Sequence, residues 1–152
     1  MRLSIAFFAL LSVLMLAGEL HAGSYLDRAT LLVEGARRDV VAVRARIADK
    51  ELCALVQRVS EARLAAAQKT EVPSKVAKAH PHLLLMLAAV ERAAASALEG
   101  NYKASLEAID AAHREELLFR AALKELGHPL PASAKARPSA RAPGLAWGAR
   151  SP

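Results

Sequence analysis

The sequence predicts an all-α protein: a small helical bundle in which a long or bent first helix packs on an antiparallel helical hairpin, followed by a disordered C-terminal tail. Composition is the first reason, because 35 of the 152 residues are alanine and only 4% are aromatic, which is typical of helices rather than strands. A three-and-four spacing of apolar residues after Ser24 is the second reason. The third is that the residues that break helices cluster at only a few points. Together these observations divide the chain into residues 1–22, 23–127 and 128–152.

Residues 1–22 have the pattern of a secretory signal peptide. Arg2 precedes an uncharged apolar run of 15 residues, which is shorter than the roughly 20 that a membrane-spanning helix needs. Ala22 is a small residue of the kind expected at a cleavage site. We therefore expect cleavage after Ala22, a location in the periplasm or outside the cell, and no transmembrane span in the mature form. An uncleaved anchor is the alternative, because Leu20 is large for its position near the cut.

The first helical region extends from Ser24 to Gln68 and contains one glycine, Gly35, and no proline. Its apolar residues are spaced as in a coiled-coil seam. Such a seam can pair with a second copy of the chain, so we predict that the protein self-associates through the large residues of this seam. These residues are Leu26, Val33, Val40, Val43 and Ile47.

The spacing of apolar residues slips by one position after Ile47, and Asp49 lies in the gap. Two interpretations follow. In the first, which the absence of Gly and Pro favours, one helix of about 45 residues continues through Asp49 and adjusts its winding there. In the second, the chain turns near Asp49 and forms two shorter helices. A turn would give four helices of similar length, whereas a continuous helix would leave part of its seam for a partner.

A helical hairpin follows the break at residues 70–74. Pro81 either kinks its first helix or occupies that helix's first turn. Residues 83–90 (LLLMLAAV) are apolar on every side, which predicts a central helix. Gly100 and Asn101 then turn the chain into a last helix, 102–126, which Gly127 and Pro129 terminate. The predicted apolar face of this last helix carries Leu106, Ile109, Ala112, Leu117, Phe119, Leu123 and Leu126.

Residues 100–112 resemble the turn and second helix of a tetratricopeptide repeat. Gly100, Asn101, Tyr102, Ile109 and Ala112 stand at matching positions. No second copy occurs at the repeat period of about 34 residues. The resemblance therefore implies an antiparallel helix pair and no repeat array.

The segment from residue 128 to residue 152 is predicted to be disordered, because it holds five of the seven prolines, four basic residues and no acidic one. It carries most of the net charge of +6, so the helical body is nearly neutral. A secreted chain without interleaved aromatic residues is not expected to bind nucleic acid. We expect the tail, through groups such as Arg137 and Arg141, to contact an anionic envelope surface.

The best candidate for a metal ligand is His113. Asp110 lies three residues before it and Glu116 three residues after it, a spacing at which a carboxylate and an imidazole on one helix can share a metal. Only one such unit is present, so the first interpretation of His113 is a histidine at the edge of the core. The Gly100 turn places His113 opposite about Ala88, so Met86 and His113 lie within a turn of each other in register; axial haem ligands would need them on facing positions.

The remaining candidates have simple structural interpretations. His80 and His82 flank Pro81 and are expected at a solvated helix entry. A lone cysteine in an oxidising compartment is either buried or paired with another chain, and burial is the first interpretation for Cys53. No phosphate loop, paired-acid motif or nucleophilic serine motif is present in the sequence. The sequence thus predicts a secreted or periplasmic interaction or structural protein that is not an enzyme and has no cofactor, with a four-helix bundle that binds a metal or haem as the alternative.

Overall fold

A computed structural model describes residues 2–131, and it describes their side chains from Gly23 onward. Over these residues the structure is entirely helical, which confirms the predicted fold class. Arg137, Arg141 and the rest of the predicted disordered tail beyond Pro131 lie outside the described residues. The elements are α1 (Arg2–Ala45), α2 (Lys50–Gln68), a short 3-10 turn (Ser74–Val76), α3 (His80–Leu98) and α4 (Tyr102–Glu125).

The first helical region is two helices, so the favoured interpretation of a helix that continues through Asp49 is wrong. The chain turns at residues 46–49, and Asp49 caps α2 by accepting a hydrogen bond from the backbone N–H of Leu52 at 3.0 Å. An aspartate at this position satisfies a helix end without glycine or proline. The slip in spacing therefore marks a turn rather than a change in winding.

The sequence predicts that the first helical region begins at Ser24. In the structure, α1 begins earlier, at Arg2. Residues 2–22 are rich in Ala and Leu and contain no proline, so their backbone continues the helix without a break.

The four helices run alternately up and down. Asp39 of α1 pairs with Arg63 of α2, and His82 of α3 pairs with Glu115 of α4. The start of α2 packs with the end of α3 in one core cluster that includes Cys53 and Ala97, so each successive pair of helices is antiparallel. The central helix is α3, which packs on α1, α2 and α4, as predicted for its all-round apolar segment. Pro81 occupies its first turn, where its missing N–H costs nothing.

Large and small side chains divide the core into two ends. The end near Tyr25 holds the large residues, including Leu83, Met86, Phe119 and Leu123. The opposite end holds the alanines Ala93, Ala94, Ala97 and Ala108 together with Val43, Cys53, Val56 and Ile109. Small residues let α3 and α4 approach closely, and the Ser105 hydroxyl donates to the Ala93 carbonyl at 2.8 Å. The shortage of aromatic residues is thus compatible with a well-packed core.

The predicted boundaries of the last hairpin are confirmed. Gly100 and Gly127 both have positive φ, +82° and +80°, which glycine adopts without steric cost. Asn101 caps α4 by accepting a hydrogen bond from Ala104 at 3.1 Å. The predicted apolar face is wrong at Leu106 and Leu117, which are exposed.

Candidate functional site: a groove between the first and last helices

A groove lies between α1 and α4, which touch each other at few positions. The groove has a volume of about 200 Å³. We call it the α1–α4 groove and define it by the residues that line it, which are Arg37, Val40, Val41, Met86, Ala112, His113 and Glu116.

The groove combines a buried apolar floor with an exposed apolar rim. Met86 on α3 and Ala112 on α4 are buried beneath it, whereas Val41 on α1 is 67% exposed. On α4, Leu117 is also largely exposed one turn beyond His113. An apolar side chain from another molecule would therefore find both a covered floor and exposed edges.

A cluster of four charged side chains adjoins the groove, and two of them, Arg37 and Glu116, line it. The guanidinium of Arg120 contacts Glu116 at 2.8 Å and Glu34 at 3.9 Å, and Arg37 contacts the same two carboxylates at 3.7 and 3.6 Å. Two arginines and two glutamates make this cluster neutral. We call it the ion-pair cluster; it joins α1 to α4 and leaves the apolar part of the groove open.

The size of the groove distinguishes between classes of ligand. Sites for small molecules and cofactors have volumes of about 300–1,000 Å³, whereas this groove has about 200 Å³. It is large enough for one or two apolar side chains. The groove therefore fits an interaction with a polypeptide better than it fits a cofactor.

The predicted metal ligands are only partly brought together. His113 and Glu116 line the groove, but Asp110 is exposed outside it, and both carboxylate oxygens of Glu116 face arginines. Among the described residues, no three His, Cys, Asp or Glu side chains are grouped so that they could hold a metal ion. By contrast, Met86 and His113 do share one groove, as their register across the Gly100 turn indicates.

The residues predicted for self-association lie largely inside the chain. Val33 and Val43 are buried, and Leu26, Val40 and Ile47 pack partly against the core. Because the chain turns at residues 46–49, α2 and α3 cover much of the seam that a continuous helix would have left open. In the part of α1 whose side chains are described, residues 23–45, the exposed large apolar residues are Leu31 and Val41 instead. The paired valines at 40 and 41 were the sequence signal for this, since adjacent residues lie about 100° apart on a helix and Val40 is the one that follows the core spacing.

A second polar contact joins α1 to the start of α3. The hydroxyl of Tyr25 lies 3.0 Å from Nδ1 of His80, and the two rings meet edge to face at a centroid distance of 5.8 Å. Burial raises the pKa of Tyr25 to about 12, so this hydroxyl remains protonated. Burial also lowers the pKa of His80. The sequence suggested that His80 is solvated. Instead, its ring contacts Tyr25, and its burial favours the neutral imidazole.

This contact predicts a loss of stability in mild acid. Because the folded state disfavours the charged imidazole, the unfolded state binds more protons below the ordinary histidine pKa of about 6.5. The free energy of unfolding is therefore expected to fall as the pH drops from about 7 to about 5. Urea unfolding of the His80→Asn variant should show a shallower fall over this range than the wild-type protein. His113→Asn, at an exposed position, is the matched control and should keep the wild-type slope. Equal slopes for wild type and His80→Asn would contradict the prediction.

Cys53 is buried, as its first interpretation held. Its thiol lies 3.7 Å from the carbonyl oxygen of Ile47. Burial and the neighbouring Asp49 carboxylate raise the pKa of this thiol, which disfavours the reactive thiolate.

Known proteins add no further information about this site. No protein-family model matches the sequence, and neither the curated proteins nor the solved structures contain a significant match. Among the residues whose side chains are described, from Gly23 to Pro131, one helix, His80–Leu98, is long and apolar enough to cross a membrane, and 44% of its apolar window is buried inside the bundle. The fold and the groove thus define a class, a four-helix protein with an interhelical groove of side-chain size.

Proposed function

We propose that this protein is a secreted or periplasmic helical interaction protein, not an enzyme, that self-associates through its first helix. The proposed contact places Val41 of each copy in the α1–α4 groove of the other copy. The observation that carries this proposal is that Val41 is 67% exposed on the rim of a groove that has room for such a side chain.

The groove supports a symmetric pair because it is self-complementary. In a two-fold dimer the same patch of each subunit meets its copy, so a patch must offer both a knob and a hole. Val41 supplies the knob, and the groove above Met86 and Ala112 supplies the hole. The ion-pair cluster beside the groove is neutral, so two copies would approach without repulsion between like charges. Of the five residues that the sequence singled out, Val40 lines this contact.

The proposed leader rests on the sequence of residues 1–22 alone, in which Arg2 precedes an uncharged apolar run that ends before the small residue Ala22. N-terminal sequencing of protein purified from the periplasm or the medium tests this part of the proposal.

The self-association is expected to fail when Val41 carries a charge. Val41→Asp would desolvate an unpaired carboxylate in each of the two contacts of a symmetric dimer, and a charge buried in this way is costly. We expect the dimer to weaken by at least roughly 100-fold, or about 2.8 kcal/mol, as measured by light scattering and sedimentation equilibrium.

Leu55→Asp provides the matched control. Leu55 is 59% exposed on α2, so its replacement adds the same charge at a similarly exposed site outside the groove and should leave the dimer intact. A protein that is monomeric at all accessible concentrations, both with and without residues 132–152, would overturn the proposed self-association. A dimer that tolerates Val41→Asp would overturn the proposed contact.

A second candidate function is the binding of haem or a metal, which the shared location of Met86 and His113 favours. To bind haem, the groove would have to open beyond about 200 Å³. To bind a metal through Glu116, that carboxylate would have to give up its contacts with Arg37 and Arg120. Absorbance and metal analysis of protein purified from its native compartment tests this alternative. A bound chromophore that is lost in His113→Asn would support it, and a colourless, metal-free protein would count against it.

A further inference from the structure

The chain beyond α4 is directed toward α1 rather than away from the bundle. After Gly127, the N–H of His128 donates to the Leu123 carbonyl at 2.8 Å, and Leu130 packs partly against the core. The Pro131 carbonyl accepts a hydrogen bond from Nη1 of Arg120 at 3.3 Å. The last described residues are thus anchored to the bundle.

This anchor lies beside the α1–α4 groove. Arg120 also contacts Glu116 at 2.8 Å, and Glu116 lines the groove. On the α1 side, residues 129–131 and the α1 residues Leu26 and Leu31 border a common cavity of about 500 Å³. Arg120 therefore links Pro131 to Glu116, a residue that lines the groove.

The 21 residues that follow Pro131 are long enough to reach the groove. Their two large apolar residues are Leu145 and Trp147, 14 and 16 positions after Pro131. An extended chain covers about 3.3 Å per residue, so Trp147 can lie up to about 50 Å from Pro131. The distance along α1 from Leu31 to Val41 is only about 15 Å, at 1.5 Å per residue.

We propose that Trp147 packs into the α1–α4 groove of its own chain and competes there with Val41 of a second copy. A linker of this length gives an attached group an effective concentration on the order of millimolar, well above the micromolar concentrations at which a second copy would arrive. The docking of Trp147 stands without the proposed self-association, whereas the competition rests on it. The tail then acts as a built-in regulator of dimer formation.

Trp147 is the single tryptophan of the chain, so its fluorescence reports on this contact directly. In the purified protein we expect emission at shorter wavelength and weaker quenching by acrylamide than in urea, independent of protein concentration. Val41→Asp should expose Trp147 to the quencher, and the matched control Leu55→Asp should not.

A second measurement concerns the dimer itself. If the groove is filled by the tail about nine-tenths of the time, the apparent affinity falls about tenfold for each groove. Because a symmetric dimer uses two grooves, Trp147→Ala should tighten the dimer about 100-fold by sedimentation equilibrium, and the nearby Ser151→Ala should leave its affinity unchanged.

The possible outcomes separate the two proposals. If Trp147 is as exposed to the quencher in buffer as in urea, the docking is overturned. Shielding of Trp147 that requires high protein concentration would also overturn it, because it would indicate docking on another copy. Shielding that appears only with vesicles of phosphatidylglycerol would assign the tail to an anionic membrane and would also overturn it. Shielded Trp147 in a protein that stays monomeric, with or without Trp147→Ala, would support the docking and overturn the self-association.

Discussion

Replacing Phe119 with alanine is expected to lower the free energy of unfolding by about 3–5 kcal/mol. Phe119 is 0% exposed and is the largest fully buried side chain among the described residues. Among the residues whose side chains are described, Phe119 is the only phenylalanine. Small domains have a total stability of about 5–15 kcal/mol, so this loss is a large fraction of it. Urea unfolding followed by circular dichroism measures the change.

The neighbouring residue provides the matched control for Phe119→Ala. Leu118 is 48% exposed, so Leu118→Ala removes an apolar side chain from the same turn of α4 without leaving a buried cavity. Its cost should be about 0.5 kcal/mol, as for most surface positions. If Phe119→Ala does not fold, Phe119→Leu keeps part of the volume and should show a smaller, measurable loss. Equal losses for Phe119→Ala and Leu118→Ala would contradict the placement of Phe119 in the core.

Enlarging Ala108 to leucine is expected to cost about 1–3 kcal/mol. Ala108 is buried on α4 in the alanine-rich end of the core, where α3 and α4 lie close together. Leucine and alanine have similar helix propensities, so the cost measures packing and not helix formation. The added methyl groups would push α4 away from α3 and lengthen the hydrogen bond between Ser105 and the Ala93 carbonyl.

The same substitution at an exposed position of α4 isolates this effect. Ala121 is exposed, so Ala121→Leu adds identical atoms to the same helix outside the core. We expect the free energy of unfolding of Ala121→Leu to stay within about 0.5 kcal/mol of wild type. If both variants have the same stability, α3 and α4 do not pack as closely as their small residues indicate.

Much of the fold could be predicted because the deciding interactions are local. Gly100 and Gly127 mark helix ends through their own backbone conformation, and the all-round apolar segment of α3 can be buried only at the centre of a bundle. The break at residues 46–49 was predicted less well. Asp49 ends the helix by a side-chain cap, and aspartate is also common on the exposed face of a continuous helix.

The candidate site was predictable only on one side. Met86 and His113 share a groove because a short turn joins α3 and α4 and sets their register, so these two positions follow from the sequence. The α1 side depends on contacts between residues far apart in the chain. Asp39 and Arg63, for example, are 24 positions apart. Their ion pair forms only when α1 packs along α2, and in the same packing α1 lies beside α4.

By itself, the sequence determined that this protein is helical, where its last hairpin turns, and which helix lies at the centre, because periodicity and turn chemistry act within a few residues. Only the tertiary structure decided that α1 folds back at Asp49, that Val33 and Val43 are covered by their own chain, and that Val41 stays exposed beside a groove. The physical reason is that burial depends on which helices pack together, and helix packing is set by long-range contacts that a one-dimensional pattern does not specify.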